Sequence, residues 1–503
     1  MTKADLILIG AGLSGAAFLA HLLRDHRGLR GRVAVVEPSS RLGAGLAYGT
    51  EDPAHRVNVA AGRMSLFPDR PEHFLDWLAA SGALARDPEA RGADGTLHPR
   101  RIAFGAYVDD SLRAEIAASS VQVEHLRTAA IAVSRAGRGW QVALGGGATI
   151  DAPLLVLAVG HTAPDLPGVL AGLAGDPRLV ADPWRPDALA RIAADAPVLV
   201  VGTGLTGCDV IASLRLRGHR GSIVAVSRRG LLPRPRTRLP VEAWGDFADP
   251  VCVTALSLLR RVRAAIAGAA SLGRPWEDVI AQLRVQGGTV WRALPVHERR
   301  RLLRHLRPFW DVHRFQCAPQ IDAVVRVGLS AGWLSVMAAT PVSAAQDGAL
   351  LRVGLRPRGG RAGRQTRTVA VAAIVNCTGP GHRSVVETHP VLRSLAAAGH
   401  LRADPCRLGI DVDLDSRVLD DAGRAWPGLF VAGPLARGTH GELMGLPQVA
   451  LQPRAVAATV AALWPVESPR GTRDGPRGTR DGPRGTRDGP RGTRDGPRGT
   501  RDG

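Results

Sequence analysis

An apolar strand that runs straight into Gly-x-Gly-x-x-Gly occurs twice in this 503-residue chain, and no other feature restricts its fold so much. The first copy is Leu6-Ile-Leu-Ile-Gly10-Ala-Gly12-Leu-Ser14-Gly15; the second is Val198-Leu-Val-Val-Gly202-Thr-Gly204-Leu-Thr-Gly207. In each, the first glycine permits a tight turn, the second lets a pyrophosphate approach the backbone, and the third lets a helix pack closely on the strand. The helix N-terminus that follows presents N–H groups and partial positive charge to phosphates. The duplication predicts an α/β fold with two Rossmann-like dinucleotide-binding domains.

The copies differ in the residue that closes the next strand. Val33-Ala-Val-Val ends at Glu37, an acid placed to accept hydrogen bonds from a ribose. The equivalent strand in the second copy, Ser222 to Ser227, ends at Ser227-Arg228-Arg229. Loss of the acid removes repulsion against a 2′-phosphate, and two arginines supply charge-assisted bonds to it. The copy holding Glu37 therefore suits FAD, and the copy holding Arg228 and Arg229 suits NADPH, with NADH the alternative.

Small residues crowd the stretch after Glu37, in Gly43-Ala-Gly-Leu-Ala47-Tyr-Gly and Val57-Asn58-Val-Ala-Ala-Gly. Such density outside a helical or alternating pattern suits a backbone lying close to a cofactor, so Ala47 and Asn58 join the candidate contacts. From Val121 to Leu144, alternation predicts an antiparallel meander that feeds the buried strand 151–160. The second half repeats the plan, with a meander over Trp333 to Leu355 and a strand closing at Gly379. Another apolar strand, Leu429 to Ala432, ends on Gly433 beside the first unit, placed to meet the ribityl phosphate end of a flavin. Three layers result, the second unit inserted in the first: 1–168 and 363–465 for FAD, and 178–362 for NAD(P)H with a helical, arginine-rich insertion at about 242–316, which either caps a substrate pocket or presents a solvated basic face. Five copies of Pro-Arg-Gly-Thr-Arg-Asp-Gly fill 469–503 and contain nothing to bury, which predicts a disordered tail.

The formal net charge is +20, a value that raises the question of a polyanionic partner. Lys3 is the only lysine, however, and the arginines are scattered among Ala, Gly and Pro, so no nucleic-acid partner is expected. The five cysteines form no C-x-x-C; neither a metal site nor the local dithiol of the disulfide reductases is indicated. The strand follows Met-Thr-Lys directly, with no targeting or membrane-spanning segment, and a cytoplasmic protein is expected.

The opening Gly10 to Gly15, the stretches Gly45 to Thr50 and Val57 to Met64, the loop Val201 to Gly207, Ser227 to Pro233 and His305 to Arg314 resemble bacterial FAD/NAD(P)-binding oxidoreductases. The resemblance spans most of residues 1–465. More distantly the chain is similar to class B flavin monooxygenases, including lysine and ornithine N-hydroxylases, although only Trp184-x-Pro186 remains of the Baeyer–Villiger fingerprint. The resemblance implies an FAD enzyme reduced by NADPH, then either oxygenating a small-molecule substrate through a flavin hydroperoxide or passing electrons to another acceptor. A flavin-binding protein without turnover stays open as a third reading. Asn58 and His440 sit in loops expected to reach the flavin ring. No residue is assigned as catalytic, and the oligomeric state is left open.

Overall fold

Leu6–Ile9 is buried along its whole length, as a central strand with parallel neighbours must be. It pairs with Gly31–Val36 on one side and Leu154–Leu157 on the other. The sheet has six strands, continuing through Val121–Leu126 at one edge and through Ala425–Val431 to Arg417–Leu419 at the other. This computed structural model describes residues 2–160, 162–235, 241–359 and 365–465. Leu6, Leu8, Val33 and Val35 pack with the helices Leu13–Asp25, Arg101–Ala117 and Gln448–Ala462. Ile7, Ile9, Ala34 and Val36, which alternate onto the opposite face, pack on a four-stranded sheet of Thr2–Lys3, Thr149–Ala152, Gly139–Leu144 and Ala130–Ala136. The first lobe is thus three layers.

Val198–Val201 repeats the arrangement in the second lobe. It lies between Ile223–Ser227 and Ala373–Asn376, all parallel, within a seven-stranded sheet that also holds Leu179–Val180, Leu334–Asp347, Leu350–Pro357 and Arg367–Val371.

Three expectations are corrected. Val121–Leu126 joins the parallel sheet beside Gly31–Val36 rather than the meander. In the second lobe, the first part of the expected meander over Trp333 to Leu355 is one long strand, Leu334–Asp347. Its first residues pair parallel with Ile223–Ser227, and the remainder pairs antiparallel with Leu350–Pro357 past an irregularity at Pro341/Ser343. Alternation continues through such a change of partner, so the sequence pattern cannot show it. The boundary at 363 also moves. Arg367–Val371 and Ala373–Asn376 belong to the second sheet, and the chain crosses back only after Asn376. There the outgoing and returning segments lie side by side, with Pro164 bridged to Pro380 and the Thr378 hydroxyl donating to Asp165 O at 3.0 Å.

The arginine-rich stretch is helical as expected, in five helices from Ala255–Ser271 to Arg307–Arg314. They carry their own core of Phe247, Leu258, Val279, Val290 and Leu294. Among the described residues no helix is long and apolar enough to cross a membrane. The repeats of 469–503, and the disorder expected of them, lie outside the described residues.

Candidate functional site

The two glycine loops meet the same steric demand with the same solution. Gly10 (φ +86°) and Gly202 (φ +118°) each turn where a Cβ would strike the carbonyl ending a neighbouring strand, that of Ala158 in one lobe and Cys377 in the other. Gly15 and Gly207 each lie so close to the carbonyl of Gly10 or Gly202 that a Cβ would collide with it. Gly12 and Gly204 are the N-caps of Leu13–Asp25 and Leu205–Leu216, with no side-chain cap bond at either, leaving first-turn N–H groups for an outside acceptor. The loops differ above that second glycine. A Cβ on Gly12 would lie 3.4 Å from Gly45 Cα, whereas one on Gly204 would meet nothing within 4 Å. The small-residue segment thus roofs the first loop, and the half-buried Ala47 sits there on the short helix Gly45–Tyr48.

Glu37 lies beside the first loop. Its Oε2 accepts the Ala11 N–H and its Oε1 the Ser39 N–H, both at 2.9 Å. A carboxylate has about four acceptor positions, so each oxygen keeps room for a further donor. In the second lobe, Ser227 exchanges a hydroxyl contact of 2.8 Å with Thr203 and accepts the Gly230 N–H at 3.0 Å. Arg228 is exposed. Arg229 is drawn to the inserted helices, donating to His305 O at 3.2 Å and stacking over Phe309 at 4.6 Å. The two arginines, equivalent in the sequence, are therefore different in the fold.

Gly433 (φ +106°) closes on the first loop from the far side, where a Cβ would strike Ser14. Its N–H donates to Gln452 Oε1 at 2.8 Å; the Gln452 amide donates to Ser416 Oγ at 3.0 Å, and Ser416 Oγ meets His440 Nε2 at 2.9 Å. Burial holds the pKa of His440 below the ordinary imidazole value. Asn58 donates from Nδ2 to Gln316 O at 3.3 Å, joining the first lobe to the end of the inserted helices.

A small cleft of about 60 Å³ lies among the first lobe, the insertion and the start of the final helix, and Gly12, Glu37, Asn58, Gly433 and His440 are not among its lining residues. Val59 and Arg63 line it from the first lobe, Ile280, Arg284 and Arg314 from the insertion and the chain just after it, and Leu446 with Pro447 from the start of the final helix. Arg314 is tied to Glu442 by a buried ion pair of 2.6 Å. Arg284 donates to Leu446 O and Gln448 Oε1. Burial, with Arg314 adding repulsion, lowers the pKa of Arg63. A second cavity of about 390 Å³ in the other lobe is lined by Cys208, Cys317 and the loop 230–235. Cys208, Cys317 and Cys377 are free thiols in one apolar cluster, and burial pushes the Cys377 thiol well up. Among the described residues no group of three or more His, Cys, Asp or Glu side chains could hold a metal ion.

The arginines of the cleft escaped sequence reasoning. In a chain with 65 basic residues, nothing local separates Arg63, Arg284 or Arg314 from the rest. The ion pair between Arg101 and Asp209, 108 residues apart at 2.7 Å, has no sequence signature either.

Two glycine loops of matching geometry, each joining a central parallel strand to a helix in its own lobe, define an α/β fold with two dinucleotide-binding-type domains, and residues 7–162 match the FAD-NAD(P)-binding family. Solved structures that share the fold include the ornithine hydroxylase of Pseudomonas aeruginosa (15% identity, TM-score 0.61) and the ornithine N-hydroxylase of Kutzneria sp. 744, whose structure holds reduced FAD, NADP+ and L-ornithine (16%, 0.60). L-lysine 6-monooxygenase of Pseudomonas syringae is a third (19%, 0.58); each alignment covers 92% of this chain and 99% of the other. No curated protein matches the chain.

Proposed function

We propose that the chain is an FAD-dependent oxidoreductase that takes reducing equivalents from NADPH and hydroxylates a small molecule in the cleft between the lobes and the insertion. The observation that carries this reading is the repeated steric device at Gly10/Gly15 and Gly202/Gly207, with an acid after one copy and arginines after the other. Both loops fit a dinucleotide: the helix starts are uncapped by side chains, and the space above Gly204 is open.

In this reading Gly12, Ser14 and Gly433 would hold the flavin phosphates, Glu37 the adenosine ribose, and Ala47 and Asn58 the neighbouring faces. Gly204 would face the nicotinamide cofactor's pyrophosphate and Arg228 its 2′-phosphate. A bound flavin supplies two-electron and oxygen chemistry. The chain's own part is orientation and exclusion of water. The inserted helices and Pro447 line the cleft, and the His440–Ser416–Gln452 chain holds the Gly433 turn. The cleft has a mixed charged lining, with Arg63 and Arg284 beside Glu277 and with Arg314 neutralised by Glu442; Arg63 and Arg284 are the groups that would meet an acid group on the substrate. The fold shared with ornithine and lysine hydroxylases supports hydroxylation over simple electron transfer.

Anaerobic titration tests the reading. A yellow protein bleached by NADPH, which on admission of oxygen consumes it in step with a hydroxylated acid-bearing product, is expected. A protein that takes up no FAD refutes it. Bleaching followed only by electron delivery to an added acceptor moves the assignment to a reductase.

A further inference from the structure

The two lobes share a buried charge. Arg101 begins the helix Arg101–Ala117 of the first lobe, and Asp209 lies in the second turn of Leu205–Leu216, the helix that starts at the second phosphate loop. Arg101 Nη2 donates to Asp209 Oδ2 at 2.7 Å, and its Nε donates to Arg56 O at 2.9 Å. The two residues are 9% and 4% exposed.

Weaker contacts surround the pair along the same helix. Ser213 Oγ meets His55 Nε2 at 3.3 Å, and Arg217 lies 3.4 Å from Asp52. The Trp184 ring, on the segment leading into the second lobe, lies under the Arg101 guanidinium at 5.5 Å and beside His55 at 5.3 Å. The chain passes between the lobes at the paired segments near Pro164 and Pro380; the inserted helices also bind the first lobe, through Asn58 to Gln316 and Arg314 to Glu442, but the helix Leu205–Leu216 itself is held to the first lobe by the Arg101–Asp209 pair and the contacts around it. Removing one partner while the lobes stay together would leave the other charge buried and unpaired, which is strongly unfavourable.

We propose that Arg101 and Asp209 are positioning residues that set where the second phosphate helix stands relative to the first lobe, and so set the alignment for transfer between the two dinucleotides. The assignment of two dinucleotides rests on the function proposed above; the geometry of the pair does not. Asp209 itself stands beyond the first turn of its helix, and its Oδ2 accepts from Arg101. Its removal therefore misplaces the loop without deleting a contact to the cofactor, and transfer between held groups is sensitive to displacements of about 1 Å.

The full chain loaded with FAD is compared with Asp209→Asn, Arg101→Gln, Asp209→Glu and the exchange R101D/D209R. Anaerobic stopped-flow reduction by NADPH yields a limiting rate and a dissociation constant, and small-angle scattering yields the radius of gyration. Asp209→Asn and Arg101→Gln are expected to lower the limiting rate about tenfold or more while NADPH affinity stays within about threefold. They should enlarge the radius of gyration while flavin content stays unchanged. Asp209→Glu or the exchange should recover most of both. Unchanged rate and radius in Asp209→Asn overturn the proposal, as does loss of flavin in every variant with recovery by neither charge-preserving change, since that outcome marks a merely structural pair. A wild-type chain that NADPH fails to bleach refutes the proposed function instead, and the scattering comparison still decides the positioning role.

Discussion

Gly433 rests against Ser14 so closely that no Cβ fits between them. The final parallel strand, Ala425–Val431, and the first helix, Leu13–Asp25, thereby meet at the mouth of the first phosphate loop, although 419 positions separate the two residues in the chain. Gly433→Ala combines a positive-φ penalty of about 1–3 kcal/mol with displacement of Ser14. The expected result is a lower melting temperature and a reduced ratio of flavin to protein absorbance. Retention of full flavin content in Gly433→Ala would show that this turn does not border the cofactor.

Glu37 has a structural duty beside its proposed ligand. Its carboxylate receives the Ala11 and Ser39 N–H groups, and stranding such donors costs about 1–3 kcal/mol where water cannot replace the partner. Glu37→Ala is expected to weaken FAD binding by tenfold or more, about 1.4 kcal/mol per decade, and to loosen the loop. Glu37→Gln keeps one acceptor oxygen and should fall between. Fluorescence titration of the apoprotein with FAD measures both, and equal affinities in all three proteins count against the assignment.

Arg228 and Arg229 should separate on substitution. Arg228 is exposed, so Arg228→Ala is expected to leave the melting temperature unchanged while weakening NADPH relative to NADH by about 1.5–3 kcal/mol, the worth of a hydrogen bond to a charged group. Arg229 holds His305 O and Phe309. Arg229→Ala should lower thermal stability as well as NADPH affinity. Thermal melts and dissociation constants for both nucleotides check the split, and loss of NADH binding equal to that of NADPH in Arg228→Ala would remove the phosphate role.

Acid should weaken the chain through its buried imidazoles. Burial, opposed by the nearby Asp209, holds the pKa of His55 below its ordinary 6.5. The folded form therefore stays neutral where the unfolded chain takes up a proton. That stability is fully present above about pH 6.5 and is lost as pH falls through that value toward the lower folded-state pKa. Melting temperatures of wild type and His55→Gln, followed from about pH 7 to about pH 5.5, should show a smaller fall in the variant. Parallel curves would place the acid sensitivity elsewhere, for example at His21, whose pKa burial also lowers.

The local rules of the chain are strong where strand, turn and helix follow one another. Gly15 and Gly207 were legible as loop glycines because each is required by a carbonyl five residues earlier, whereas the collisions that require Gly10 and Gly202, with Ala158 and Cys377, appear only in the fold. The insertion of one unit in another was legible from the repeat of that device. The switch of partner within Leu334–Asp347 was hidden because its alternation is uninterrupted.

The amino-acid sequence by itself determined the two glycine loops, the acid after one and the arginines after the other, since these follow from local backbone sterics and side-chain charge. Only the tertiary structure decided that Arg228 stands exposed while Arg229 is engaged by Phe309, that Arg63 and Arg314 share one cleft, and that Arg101 neutralises Asp209. Ion pairing and burial depend on distance in space. In a chain this rich in arginine, neither composition nor spacing distinguishes a buried partner from a solvated one.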